Sequence, residues 1–350
     1  MHTMSVTAPL SGIRSEGPAA VRVAPPLVAP IAAPADRAAR GQSLHAAGLT
    51  LTVALAACFL FLLFVARPLA IGLSGSDDRS GRTAARIRYT VDTPFARQGV
   101  AVSAKALYAV SDHGIEALDR RTGRVIARIS DDSRYHHLNS CIVRRTLVCA
   151  HSNFPALPMA SSIETFDLAT LRPVASHPLA EHRGSLTWIA PWGEGWLACF
   201  ANYDGHGGAP GRDHTATLIE YLSPRLTVER IYRLPSAVLD RLAPHSASGG
   251  AVGRDGLLYV TGHDRPEAYV LAMPKRGDVL RHVATIPMPT DGQAIAFDPV
   301  APLLLWSIDR DRRQLVASLV PSIDPRNGSA GRDESFHPQY DSRKGSKSRG

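Results

Sequence analysis

Between Leu257 and Pro274 the chain reads LLYVTGHDRPEAYVLAMP, two apolar runs joined by a polar GHDRPE. The His263–Asp264 pair inside it has the composition of an oriented acid/base group, an imidazole beside a carboxylate, or of two metal ligands. Other polar segments repeat the theme. His136, His137, His151, His182, His206, His245 and His263 make up half of the 14 histidines, and each lies where one apolar run gives way to the next. Asn139, Asn153, Asn202, Tyr203, Asp204 and Gln293 occupy equivalent segments and add hydrogen-bonding groups. If these residues converge, they form a site for a polar small molecule or a divalent cation, with His137, His151 and His263 as candidate metal ligands. In that arrangement His263 and Asp264 are the candidate catalytic pair, the carboxylate orienting the ring.

Several familiar chemistries are excluded. The chain has no H-E-x-x-H, C-x-x-C or G-x-S-x-G, so zinc peptidases and serine hydrolases of common design do not fit. GHGGAPG at 205–211 superficially suggests a nucleotide loop, but the following TATLIEYL alternates like a strand and offers no helix N-terminus for phosphate. A mobile lid is the better expectation there. The net charge of +8 is spread as +3 over residues 1–85, +3 over 86–320 and +2 over 321–350, with no concentrated basic face. Nucleic acid is therefore not an expected partner.

The candidate residues must be positioned by repeats. Five segments share one plan of short apolar strands and tight turns, and Val100, Ile142, Thr187, Ala251 and Ile295 stand at equivalent places, 42, 45, 64 and 44 residues apart. A period of roughly 40 to 50 residues suits a four-stranded propeller blade. The long interval is accounted for by the glycine-rich 203–214 segment and a short helical stretch, PSAVLDRLAP. Glycines in RTG, RDG and KRG stand where hairpins need positive φ. When the second strands are aligned on Leu107, Leu147, Leu197, Leu258 and Leu304, all five end in polar residues: SDH, HSN, ANY, GHD and IDR.

GRDGLLYVTGHD and IETFDLATLRPVASHPL resemble blades of NHL-type and lactonase-type β-propellers, over about residues 95–320. The resemblance implies an all-β propeller of five blades, with a sixth, degenerate blade as the alternative. The fifth unit lacks an outermost strand, and RIRYTV at 86–91 is the segment that would fill it and leave no open sheet edge.

Outside the repeats, residues 1–45 are rich in Ala and Pro and read as a disordered arm. Ala46–Ala66 is a 21-residue run without charge, long enough as a helix of about 30 Å to cross a bilayer core. Its distance from the N-terminus favours an uncleaved anchor over a signal peptide, and the apolar residues after LAAC argue against a lipoprotein. Residues 67–85 form a linker, 86–320 the propeller and 321–350 a polar disordered tail. The expectation is a single-pass protein of a bacterial inner membrane with its propeller outside the cytoplasm. A hairpin turning at Arg144 to Thr146 would set Cys141 opposite Cys149, within reach of a disulfide, although burial as separate small thiols is the simpler expectation for Cys141, Cys149 and Cys199.

Two functions follow from this reading. One is a recognition propeller that binds a small polar ligand or a protein partner on its histidine-rich face. The other is an enzyme, a metal-assisted hydrolase or a lyase or isomerase of lactonase-like type. Against both stands turn chemistry alone, because polar residues ordinarily end strands.

Overall fold

The structure is a computed structural model that describes residues 21–22, 83–130, 132–179 and 183–325. Four sheets are built from consecutive antiparallel strands. The first blade comprises Gly99–Val102, Ala106–Ser111, Gly114–Asp119 and Val125–Ile129. The second comprises His137–Val143, Leu147–Ser152, Ser161–Phe166 and Pro173–Pro178. The third comprises Ser185–Trp192, Gly195–Ala201, Leu218–Leu222 and Val228–Arg233. The fourth comprises Gly249–Val252, Leu258–Thr261, Glu267–Ala272 and Arg281–Pro287.

The fifth blade takes Ala296–Phe297, Leu304–Asp309 and Gln314–Leu319 from one end of the repeat region and Arg86–Asp92 from the other. Arg86–Asp92 pairs antiparallel with Gln314–Leu319, as the missing-strand argument predicts. The two residues Val21–Arg22 pair in turn with Val91 and Thr90. The innermost strands of the five sheets contact one another in a closed cycle, the fifth meeting the first. The molecule is therefore a five-bladed β-propeller, and the cycle leaves no gap for a sixth blade.

Packing explains why strand alternation is weak in the sequence. Middle strands are covered on both faces by neighbouring blades, so Ala106–Ser111 is buried over five of its six residues, whereas the outermost Pro173–Pro178 is largely exposed. The core is divided into five apolar clusters, each between two adjacent blades, such as Trp188, Leu197 and Ile219 against Leu258, Val260 and Tyr269.

Turn chemistry follows the predicted rule with one variation. Gly123, Gly256 and Gly277 adopt φ of 70–75°, but in the outer turns of the second and third blades leucine takes the left-handed place, Leu171 at 56° and Leu226 at 63°. Leu171 is fully buried, and that burial offsets the backbone strain. Asp119 and Asp167 each accept two backbone amides and a threonine hydroxyl, fixing the same turn in successive blades.

Cys141 lies opposite Cys149 and the two are joined by a disulfide, which corrects the expectation of three separate thiols. Hairpin register already brings the pair together, so bonding needs no backbone rearrangement. Cys199 is free and buried, which pushes its thiol up to about 12. PSAVLDRLAP contains the helix Ser236–Leu242, which buries Val238 and Leu242. The expected anchor Ala46–Ala66, the arm before it apart from Val21–Arg22, and residues 326–350 of the tail lie outside the described residues. Among the described residues no helix is long and apolar enough to cross a membrane.

Candidate functional site

The second strand of each blade ends on one face of the ring, and the loops leading to the next innermost strand return there. A cavity of about 660 Å³ opens on that face. Every blade, or the loop that enters it, supplies part of its wall: Asp112 and His113, then His137 and Asn153, then Tyr203 and His206, then His245 and His263, and finally Gln293. Beneath it the central channel is crossed by hydrogen bonds, with Asn139 Nδ2 donating to the Leu186 carbonyl at 3.0 Å and Thr187 Oγ1 to that of Ala247 at 2.7 Å.

Several cavity imidazoles are held in the same way. His137 Nδ1 lies 2.8 Å from Asp112 Oδ1, and His245 Nδ1 lies 2.6 Å from Asp264 Oδ2. His113 Nδ1 is 2.6 Å from the Tyr135 carbonyl, and His206 Nδ1 is 3.3 Å from that of Asp204. An ionised carboxylate or a carbonyl only accepts, so each Nδ1 carries the proton. In the neutral ring Nε2 is then a lone-pair acceptor.

His263 differs from the others. Its Nδ1 donates to Asp264 Oδ1 at 2.5 Å, while its Nε2 accepts from the Arg310 guanidinium at 3.1 Å. Burial, Arg310 and His245 hold its pKa below the usual histidine range against the opposing pull of Asp264. Asp264 thus bridges two stacked imidazoles, whose centroids are 4.1 Å apart. Burial would raise the Asp264 and Asp112 carboxyls, but hydrogen bonds and charge from their histidines, joined by Gln98 at Asp112, hold both below the ordinary value.

One wall is aromatic. The Phe154 ring lies 5.1 Å from those of His137 and Tyr203, and 6.1 Å from His206. Gly207 permits this approach, since a Cβ there would stand 2.4 Å from Phe154. Burial pushes the Tyr203 phenol well above its ordinary pKa, so it stays neutral.

The sequence-predicted residues divide sharply. His137, Asn139, Asn153, Tyr203, His263 and Gln293 line the cavity. His151 does not: its Nε2 accepts the His136 amide and its Nδ1 donates to Ser162 Oγ, which donates to Glu164. Burial lowers its pKa to about 4, outweighing the attraction of Glu164. With both nitrogens engaged inside the second blade, His151 is a structural group, and the expected metal set of His137, His151 and His263 is not assembled. The groups that could hold a cation, among the described residues, are His245, His263 and Asp264, and Asp204, Asp213 and His214, with ligand atoms within 4.8 Å in each. In the first, a cation would have to replace the Nδ1 protons now shared with Asp264.

Asn202 is also structural. It is fully buried, accepts from the Ala209 amide at 2.8 Å and donates to the carbonyls of Arg183 and Ala216. Asp204 accepts from the amide and Nδ1 of His214. The 203–214 segment is therefore tied down at both ends, in contrast to the mobile lid expected from its glycines. His182 lies outside the described residues.

Sequence reasoning placed Asp112 and His245 on the polar face without assigning either a partner, and gave no role to Phe154. The SDH strand end and the polar segment at His245 carried a signal for the first two, but pairing of Asp264 with His245 spans 19 residues and needs the fold to be seen. Phe154 follows HSN directly and has no periodic signature.

No protein-family model and no curated protein sequence matches this chain. Among solved structures it is similar to the calcium-binding protein regucalcin of Agrobacterium tumefaciens at 13% identity, covering 64% of this chain and 75% of that one, with a TM-score of 0.39. It is similar to hydrazine synthase of Kuenenia stuttgartiensis at 15% identity, covering 65% and 72%, with a TM-score of 0.39. A luciferin-regenerating enzyme gives 9% identity, 65% and 92% coverage and a TM-score of 0.41. Likeness of this size bears on neither ligand nor activity, and the propeller assignment rests on the closed cycle of five sheets.

Proposed function

We propose that this chain is a recognition propeller, tethered to a bacterial inner membrane by Ala46–Ala66 and displayed outside the cytoplasm, whose mouth binds a small polar ligand. The observation that carries the reading is the contribution of polar side chains to one cavity from all five blades. Turn chemistry alone has no need of Nδ1-anchored imidazoles directed at a common space. Nε2 acceptors at His137 and His245, the amide of Gln293, and the aromatic wall of Phe154 suit a hydroxyl-bearing molecule with one flat apolar face; the Asn153 amide is already engaged with Pro158 and Ala160 in its own loop. The Cys141–Cys149 disulfide supports an oxidising compartment. Protein partners remain a second class of occupant for the same face.

The test is a thermal-shift survey of the full-length protein in nanodiscs with sugars, polyols and hydroxy acids. A ligand present at 100 times its Kd stabilises by about 2.7 kcal/mol, so a binder raises the melting temperature of the parent but not of His137→Ala or His245→Ala. Equal shifts in parent and variants would reject the cavity as the site.

One observation favours the enzyme reading as well. Asp264 holds the cavity-lining His245 by Nδ1, leaving Nε2 as its lone-pair nitrogen, the arrangement of a general base. In that version His245, with His263 behind it, carries the acid/base role; a divalent cation at His245, His263 and Asp264 is the alternative form, since it would displace the Nδ1 protons that role needs. Turnover of a ligand found in the survey, abolished by His245→Ala, would establish it.

A further inference from the structure

The end of the ring opposite the histidine cavity carries a second opening, of about 770 Å³, between the second and third blades. Its floor is the apolar cluster shared by those blades, reached through Val148, Ile163, Ile189 and the half-buried Trp196 and Leu226. Its rim is basic: Arg144 and Arg145 on one hairpin turn, Arg225 on the facing outer turn. Among the described residues no carboxylate lines it. Arginines that pack onto buried carboxylates are ion-paired, as in Arg120–Asp298, Arg128–Glu116 and Arg183–Glu220, whereas several turn arginines bond carbonyls instead, as Arg230 and Arg254 do. Arg144, Arg145 and Arg225 make no ion pair among the described residues and converge on one opening, and the Arg144 guanidinium stands 6.0 Å from the Trp196 ring.

We propose that this groove binds a small organic anion, a single carboxylate carried on an apolar body. Guanidinium groups recognise carboxylates through paired charge-assisted hydrogen bonds, and the exposed part of the inter-blade core supplies a surface for the apolar portion. The volume lies within the roughly 300–1,000 Å³ of small-molecule pockets. The groove shares no lining residue with the histidine cavity, so this inference is independent of the function proposed above.

The experiment uses the full-length protein in nanodiscs, titrated with 4-phenylbutyrate, with its neutral amide, and with inorganic phosphate. 4-Phenylbutyrate should bind saturably and move the Trp196 indole Nε1–H resonance. The amide, which lacks the charge, and phosphate, which lacks the apolar body, should each bind at least roughly tenfold more weakly, the loss expected for one charge-assisted contact or a few buried methylenes. Arg144→Gln combined with Arg225→Gln should weaken 4-phenylbutyrate by at least about tenfold. Both side chains are exposed, so unchanged melting of the variant checks that folding is intact. Equal affinity for acid and amide, full affinity in the double variant, or resonance changes confined to the cavity histidines would each overturn the proposal.

Discussion

Replacing Asn202 by alanine separates a structural from a ligand-binding role at a position where sequence alone favoured the second. The side chain is fully buried and makes three hydrogen bonds, to the Ala209 amide and to the carbonyls of Arg183 and Ala216, at 2.8, 3.3 and 3.2 Å. Truncation deletes all three and strands their partners. At about 0.5–1.5 kcal/mol for each net bond the loss is roughly 2–4 kcal/mol. For a domain of this size that lowers the melting temperature by roughly 4–16 °C. Damage should be concentrated in the 203–214 segment, because Gly208 packs directly on Asn202 and a Cβ there would lie 2.8 Å from Asn202 Oδ1. The assay combines denaturant unfolding with amide hydrogen exchange. Ala209 should exchange rapidly in the variant while strand amides in the first and fifth blades keep their protection. A stability change below about 0.5 kcal/mol, the usual scale of a neutral surface substitution, with Ala209 still protected, would refute the assignment.

Two other expectations follow from buried groups. His151 has a pKa near 4 in the folded chain against 6.5 for the free side chain, so the unfolded state takes up a proton first as pH falls. Its contribution is fully present above pH 6.5 and is lost between pH 6.5 and 4, amounting to about 3 kcal/mol. His151→Gln should flatten that part of the stability profile, and an unchanged slope would show that other groups set it. Replacing Cys141 and Cys149 together by serine reopens a loop with a sequence separation of 8. Loop entropy puts the loss at about 2–3 kcal/mol in denaturant unfolding, and a doubly substituted chain as stable as the parent would contradict it.

The fold was legible because its period and its turns are local. Blade spacing, the DxxT turns at Asp119 and Asp167, and the missing outer strand at Arg86–Asp92 all leave traces within a few dozen residues. The face on which His137, Tyr203, His263 and Gln293 meet was legible for the same reason, since strand ends in equivalent repeats must come together. Side-chain direction was not. His151 sits one residue before Ser152 on a strand whose successive side chains alternate, and it turns toward Ser162 and Glu164 instead of the mouth. Asn202 faces down into the loop it secures, although its neighbour Tyr203 lines the cavity. The partnership of Asp264 with His245 as well as His263, and of Arg310 with His263, depends on contacts between a strand end, an interblade loop and the next blade.

In the function proposed for this chain the mouth presents imidazole Nε2 lone pairs to a ligand. Ring nitrogen-15 spectra of the full-length protein in nanodiscs at about pH 7.5, where an ordinary histidine is mostly neutral, read this directly. His137 and His245 should carry their proton on Nδ1, with Nε2 bare, and a ligand from the thermal survey should shift those Nε2 resonances. Protonated Nε2 with bare Nδ1 at both residues, or ligand binding that leaves both rings unmoved, would contradict it.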